Sequence, residues 1–206
     1  MPPSDDSCGS KAQIVKRVAA GSIHGRFQVF HLGHLEYFRA ASRLFEVVYI
    51  GLARPRLPTR VSVSESSHRD ILANNPLTYF ERAQMIEGVL LAEGFSRSSF
   101  RIIPFPIDEP HLLHEFLPLN IPIATTVNDS WNEQKIAVLE SMGYAVEVLW
   151  IAEKKVSASV IRTMIEKGDS SWRSMIPDSC VKFVEIFKLQ ERLLALKQQL
   201  TSAKYG

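Results

Sequence analysis

The amino-acid sequence predicts an α/β fold in which helices cover a doubly wound parallel sheet of five strands. The first observation is the order of the elements, because short apolar runs alternate with segments of helical periodicity. The second is that a strand, a helix and a strand follow one another within about 35 residues, as in a parallel βαβ unit. The third is size: 206 residues, 46% of them hydrophobic, suit one α/β domain with a C-terminal helical extension.

The first elements are predicted from their apolar patterns. Residues 18–24 are mostly small and apolar and end at Gly25, which is typical of a buried strand. Residues 33–44 place apolar side chains at helical spacing. Residues 45–52 are β-branched and aromatic, as in a second strand. Residues 54–75 show no clear period, so we expect a long loop, and loops of this length are often functional.

The remaining elements complete the sheet. Thr78 and Glu81 have the spacing of a capping box and open a helix that we expect to end at Gly94. The same patterns predict strands at 100–105, 121–127 and 145–151, helices at 131–142 and 159–167, and a long amphipathic helix at 181–199 with Val181, Val184, Phe187, Leu194 and Leu196 on its apolar face.

Composition limits the class of protein. We expect a disordered arm at residues 1–16, the α/β domain at 17–168 and the helical extension at 169–206. A net charge of +2 does not favour nucleic acid or an anionic membrane as a partner. The polar N-terminus lacks a signal-peptide core, and Cys8 and Cys180 match no metal spacing, so we expect free thiols and a cytoplasmic location.

The segment Gly25–His34 (Gly-Arg-Phe-Gln-Val-Phe-His-Leu-Gly-His) joins the first strand to the first helix. In α/β folds the backbone N–H groups at such a helix N-terminus bind phosphate. Imidazoles at His31 and His34 can add hydrogen bonds to phosphate oxygens, and Gly33 allows close approach of the backbone. A metal site and two core histidines are the alternatives at this point, whereas the GxGxxG dinucleotide pattern is absent.

A second cluster follows the fifth predicted strand. In the segment 156–162 (Val-Ser-Ala-Ser-Val-Ile-Arg), Ser159 is placed to cap a helix whose first turn contains Arg162. Hydroxyls, helix N–H groups and a guanidinium together form a second anion-binding site. The alternative is an ordinary helix cap with an exposed arginine.

These segments resemble a known family. Gly-Arg-Phe-Gln-x-Phe-His-x-Gly-His at 25–34 is similar to the signature of the HxGH nucleotidyltransferases, whose Rossmann-like fold agrees with the predicted sheet, and 156–162 resembles their second motif, Ile-Ser-x-Thr-x-Ile-Arg. Residues 75–86 are similar to the Asn-Pro-Phe-Thr-x-x-Glu-Arg-x-x-Met-Ile segment of archaeal-type nicotinamide mononucleotide adenylyltransferases and their bacterial relatives. The resemblance extends from about residue 18 to residue 167, over the range that contains the three motifs.

The resemblance implies transfer of a nucleoside monophosphate from ATP or another nucleoside triphosphate to a phosphate-bearing small molecule, with release of pyrophosphate. The anionic acceptor needs no general base, so positioning and charge stabilisation carry catalysis. The resemblance implies catalytic roles for His31, His34 and Arg162, and Mg²⁺ held mainly by the nucleotide and water. The implied nucleotide-binding residues are Gly25, Arg26, Phe27, Gln28, Gly33, Ser157, Ser159 and Ile161.

The best match for the acceptor is nicotinamide mononucleotide, with NAD as the product. The family's Pro-x-Pro-Asp and Trp positions differ here, because Asp108 is displaced by one residue and the next Trp is Trp131. Alternatives are a cytidylyltransferase or adenylyltransferase for another phosphate or phosphonate acceptor, and a non-catalytic nucleotide-binding domain. A homo-oligomer is also expected, and the apolar stripe of the C-terminal helix is either an oligomer interface or a cap on the sheet. The candidate acceptor-binding residues are Arg54, Asn75, Arg82, Asp108, Asn128 and Trp131.

Overall fold

The computed structural model describes residues 17–55, 74–127, 130–151 and 156–205, and it contains the predicted α/β fold. The five strands are β1 (Val18–Gly25), β2 (Phe45–Ala53), β3 (Phe100–Phe105), β4 (Ile123–Val127) and β5 (Val146–Ile151). The helices are α1 (Leu32–Leu44), α2 (Tyr79–Ala92), α3 (Ser130–Ser141), α4 (Ala158–Lys167), α5 (Asp178–Ile186) and α6 (Leu189–Tyr205).

The sheet is parallel throughout, with strand order β3-β2-β1-β4-β5. The chain turns from one side of β1 to the other between β3 and β4, which makes the β1–β4 boundary the topological switch point. These two strands are paired only at Ser22 and Ile123. Beyond that pair, Tyr37 of α1 donates a hydrogen bond to the Ala124 carbonyl at 2.5 Å. In such sheets the ligand crevice lies at the carboxyl ends of the strands beside the switch point.

Two apolar clusters form the core, one on each face of the sheet. The larger cluster contains side chains of α1, α2, α4, α5 and α6, and it includes Ile23 of β1. The smaller lies under α3 and a short 3-10 helix at Pro110–Glu115 and includes Phe105 of β3. Because successive residues of a strand point to opposite faces, His24 belongs to the second face.

The C-terminal segment differs from the predicted single helix. α5 ends at Ile186, and α6 begins at Leu189 after Lys188, whose φ is 48°. A residue in this left-handed region cannot continue an α-helix, so the chain changes direction here. The prediction that Leu194 lies on the buried face was wrong, since it is 42% exposed and its neighbour Leu193 is buried.

The two C-terminal helices pack on the chain's own core. Cys180 and Val184 of α5, and Leu189 and Leu193 of α6, belong to the larger cluster. Arg192 forms an ion pair with Glu81 at 2.8 Å, which ties α6 to the start of α2. The apolar stripe predicted for this segment therefore contributes to the fold itself. Within the four described ranges, no helix has both the length and the apolar character needed to cross a membrane.

Cys180 provides a test of this packing. Its thiol is buried and donates to the Phe30 carbonyl at 3.3 Å, and burial raises the pKa of the thiol to about 12. Thiol reagents attack the thiolate, so we expect a reagent at mildly alkaline pH to modify at most one of the chain's two cysteines in the folded protein. Both should react in urea. Mass spectrometry counts the labels, and two labels on folded protein would contradict the packing.

Candidate active site

The N-terminus of α1 is capped by two histidines in place of the usual hydroxyl and carboxylate. His31 is the N-cap residue, and its Nδ1 accepts a hydrogen bond from the backbone N–H of His34 at 3.3 Å. In return, Nδ1 of His34 accepts from the backbone N–H of His31 at 3.2 Å. The two rings stack with 3.5 Å between their centroids. This is the reciprocal arrangement of a capping box, built from imidazoles.

The capping bonds determine which ring nitrogen carries the proton. Each Nδ1 must keep its lone pair to accept from a backbone N–H, so the neutral ring has its proton on Nε2. His31 and His34 thus each present an Nε2–H donor beside the helix N-terminus, where the helix dipole also favours an anion. Over the described ranges, no third His, Cys, Asp or Glu joins them in a group that could hold a metal ion.

Aromatic side chains fix the orientation of these rings. Phe27 has a φ of 51° and is 1% exposed, and its ring meets the His34 ring edge-on with 4.7 Å between centroids. Phe30 lies 5.5 Å from the same imidazole. The loop therefore turns sharply after Gly25 and buries Phe27, which leaves the backbone of the loop at the carboxyl end of β1. Phe27 thus contributes to the predicted nucleotide site through packing.

Gly33 is required by this arrangement. A Cβ at residue 33 would lie 3.2 Å from Nδ1 and Cε1 of His31, tighter than an ordinary carbon contact. We expect Gly33→Ala to displace the His31 ring and lower turnover by about tenfold, because a small misplacement of a catalytic group is costly. Steady-state assays measure this effect. Gly88→Ala, in which the methyl would meet the Phe183 ring on α5, is the control for stability. Equal losses of activity in both variants would mean that the loss is not specific to the His31 ring.

Arg162 reaches from α4 to the loop between β1 and α1. It is 5% exposed, its Nη1 donates to the Gln28 carbonyl, and its Nη2 donates to Asn74 Oδ1 at 3.1 Å. Burial, and secondly the like charge of Arg26, lowers the pKa of Arg162 to about 10. The two guanidinium charges favour a bound anion. Such an anion would reduce their mutual repulsion and offset the cost of removing Arg162 from water.

The start of α4 differs in detail from its prediction. The N-cap residue is Ser157, whereas Ser159 lies in the first turn of the helix, so the capping role expected of Ser159 was wrong. The hydroxyls of the two serines are 2.7 Å apart. Ile161 is fully buried, and its N–H donates to the Ser157 carbonyl at 3.1 Å. The Ile161 side chain therefore packs in the core beneath the two hydroxyls.

Two predicted site residues hold loops in place. The Gln28 amide donates to the Leu77 carbonyl and accepts from the Leu77 N–H, both at 2.9 Å. Arg82 is 1% exposed, and its guanidinium donates to four backbone carbonyls, those of Arg26 at 2.9 Å, Ala53 at 2.7 Å, Arg54 at 2.8 Å and Thr78 at 3.3 Å. These bonds connect the ends of β1 and β2 to α2. These hydrogen bonds hold the loops of the site in position. They account for the buried Arg82 side chain without any contact to an acceptor.

Of the other predicted acceptor residues, Arg54 and Asp108 lie along the carboxyl edge of the sheet. Arg54 Nε pairs with Asp108 Oδ2 at 3.0 Å, which joins the ends of β2 and β3. Asn75 is 3% exposed and precedes the backbone segment that Gln28 binds. Asn128 and most of the predicted 54–75 loop lie outside the described residues. Trp131 is in the first turn of α3.

A buried histidine at the end of β1 was not predicted as a site residue. His24 is 7% exposed, and neither ring nitrogen has a hydrogen-bond partner among the residues that the structure describes. Its ring stacks on Phe105 with 4.3 Å between centroids and 4° between planes. Burial, and secondly the charge of Lys135 on α3, lowers the pKa of His24 well below its usual value, so the ring is neutral. The available signal was a histidine within an otherwise apolar strand.

Comparison with known proteins identifies the family of this chain. Residues 23–167 match the family described as cytidylyltransferase-like. The phosphonoformate cytidylyltransferase of Streptomyces viridochromogenes is 34% identical over 85% of this chain and 95% of its own length. The nicotinamide-nucleotide adenylyltransferase of Saccharolobus solfataricus is 28% identical over 85% of this chain and 95% of its own.

The fold is also found in a solved structure. A bifunctional NMN adenylyltransferase/ADP ribose pyrophosphatase from Francisella tularensis superposes with a TM-score of 0.64 at 19% identity. The match covers 91% of this chain and 55% of that one. The fold, the family match and the relatives agree, and this chain is a nucleotidyltransferase of the cytidylyltransferase-like family.

Proposed function

We propose that the protein transfers a cytidylyl group from CTP to a small phosphonate acceptor and releases pyrophosphate. The observation that carries the reaction type is the pair of imidazole Nε2–H donors at the start of α1, joined through Gln28 to the buried Arg162 guanidinium. These groups offer donors and positive charge to a triphosphate at the carboxyl edge of the sheet. The choice of CTP and a phosphonate follows the Streptomyces relative at 34% identity.

The reaction is a displacement at the α-phosphorus of CTP. An oxygen of the acceptor phosphonate forms a bond to this phosphorus, and the bond to the bridging oxygen of the pyrophosphate breaks. His31 and His34 donate to the oxygens of the α-phosphate, where negative charge is spread in the transition state. Arg162 and Arg26, with Ser157 and Ser159 at the start of α4, hold the phosphates that leave. The acceptor is already ionised, so no side chain has to remove a proton.

Mg²⁺ bound to a nucleoside triphosphate neutralises charge on its phosphate oxygens. The described ranges contain no group of three or more His, Cys, Asp or Glu side chains that could hold such an ion. The groups nearest the proposed triphosphate are imidazoles and guanidiniums, which bind anions. We therefore expect the nucleotide and water to supply the ligands of the ion.

A second candidate is adenylyl transfer from ATP to nicotinamide mononucleotide. The capped start of α2 supports it, because the segment beginning at Asn75 resembles that enzyme family and the Saccharolobus relative carries that name. The segment after β3 supports it less. Asp108 is paired with Arg54, and the next helix along the chain contains exposed histidines at 111 and 114 where a tryptophan is expected.

The test is an assay of pyrophosphate release with every pair of ATP, CTP, GTP and UTP against phosphonoformate, methylphosphonate and nicotinamide mononucleotide. We expect the highest kcat/KM with CTP and phosphonoformate. Preference for ATP and nicotinamide mononucleotide would support the second candidate. Absence of turnover with every pair, in protein shown to be folded, would favour the non-catalytic nucleotide-binding alternative.

A further inference from the structure

The buried His24 lies next to the proposed site but has no part in the mechanism above. It is the penultimate residue of β1, one residue before Gly25 and two before Arg26. Its ring is on the face of the sheet opposite α1, because the preceding Ile23 belongs to the cluster under α1. The end of β1 borders the switch point, where the ligand crevice of such sheets lies.

Residues of the neighbouring strands β2 and β3 leave room for the His24 ring. In the sheet register His24 is beside Gly51 of β2, and a Cβ at Gly51 would come within 2.5 Å of the Phe105 ring. The missing side chain at residue 51 therefore lets Phe105 lie flat against His24. Stacking fixes the orientation of the imidazole ring, but it gives the two ring nitrogens no hydrogen bond, and they have none within the described residues. A buried polar group without a partner costs about 1–3 kcal/mol, which a bound ligand would recover.

A positively charged side chain, Lys135, acts on the His24 ring. Lys135 on α3 is near enough to lower the pKa of His24, and its Nζ lies 3.3 Å from Oδ1 of Asn132. Asn132 is 6% exposed and lies in the first turn of α3, whose N-terminus is at the carboxyl end of β4. A neutral imidazole N–H, an ammonium and a helix N-terminus all favour an anionic ligand over a cationic one.

We propose that His24 and Lys135 bind the second anionic group of the acceptor, the one that does not react. This inference rests on the proposed function and narrows its substrate class to phosphonates that carry a carboxylate or a similar anion. Attack must come from the side opposite the leaving pyrophosphate. Arg162 places the pyrophosphate on the α1 and α4 face, so the acceptor approaches from the face of His24. The same charge disfavours the cationic ring of nicotinamide mononucleotide.

The test compares two variants with two acceptors. His24→Val removes the ring nitrogens, and Lys135→Gln removes the charge. With phosphonoformate, each change is expected to raise the KM about 10- to 100-fold, as for loss of a hydrogen bond to a charged group. With methylphosphonate, which lacks the carboxylate, the KM should be unchanged, and so should the KM for CTP. His24→Asn keeps a donor and should recover part of the loss, whereas Lys182→Gln on the distant α5 should behave as wild type.

A binding measurement separates this inference from the proposed function. Phosphonoformate is titrated by calorimetry into wild-type protein and into His24→Val, each with a CTP analogue whose α–β bridge is methylene. Binding that is weakened in the variant, with unchanged analogue affinity and no loss of thermal stability, supports the subsite even if no pair of substrates turns over. Equal binding in both proteins, or equal losses with both acceptors, overturns it.

Discussion

The double variant His31→Ser/His34→Gln is expected to lose turnover by at least about 10³-fold while remaining as stable as wild type. Loss of one donor to a transition-state oxyanion costs about 10²–10³ in rate, and this variant removes two. Ser at the N-cap and Gln three residues later form an ordinary capping box, so helix α1 keeps the hydrogen bonds that the histidines now supply. Steady-state kinetics and thermal unfolding measure the two effects on the same protein.

The matched control changes the other capping box of the fold. Thr78 and Glu81 cap α2 in the same reciprocal way, with Glu81 N–H donating to Thr78 Oγ1 at 3.2 Å. Thr78→Ser keeps those bonds and should leave activity intact. If the double histidine variant retained near-normal turnover, the histidines would be only capping residues. If the double variant unfolded, the same measurements would be made on the single variant His34→Gln.

Arg162→Met is expected to lower turnover about 10²- to 10³-fold with little change in stability. The methionine removes the donors proposed for the leaving phosphates. The variant leaves the buried Gln28 carbonyl without its partner, which destabilises the fold. It also removes a buried charge whose pKa is lowered by burial and by Arg26. These contributions oppose each other, and we expect the free energy of unfolding to change by no more than about 1 kcal/mol.

Binding of pyrophosphate shows whether Arg162 acts on the leaving group. Calorimetry should detect pyrophosphate binding to wild-type protein and about 10²-fold weaker binding to Arg162→Met. Arg162→Lys keeps a charge but has no planar fork, so it should fall between them. Arg173→Met is the matched control, because Arg173 is exposed and pairs with Glu185 on α5. Unchanged pyrophosphate affinity in Arg162→Met would remove Arg162 from the site.

Much of the fold was predictable from local patterns. Buried parallel strands have nearly continuous apolar runs, and this is why β2 was placed within one residue. The Thr78–Glu81 box and the stops at Gly94 and Gly143, with φ of 85° and 92°, follow rules that depend on neighbouring residues only. The order of the motifs along the chain predicted that the candidate site lies at the ends of the first and last strands.

The rest depends on contacts between distant parts of the chain. Capping rules name hydroxyls and carboxylates, so the reciprocal bonds of His31 and His34 were not predictable. The bonds from Gln28 to Leu77 and from Arg82 to the ends of β1 and β2 join residues far apart in sequence. His24 was counted as part of an apolar strand. Only the register with Gly51 and the stack on Phe105 show its environment.

The central claim is that this protein forms a bond between a nucleotide α-phosphate and an acceptor phosphonate. The most direct measurement is ³¹P NMR of CTP and phosphonoformate incubated with wild-type protein and with His31→Ser/His34→Gln. We expect wild-type protein to yield equal amounts of pyrophosphate and a new mixed anhydride, and the variant to yield neither at the same protein concentration. Pyrophosphate released without the anhydride, or equal product from both proteins, would contradict this claim.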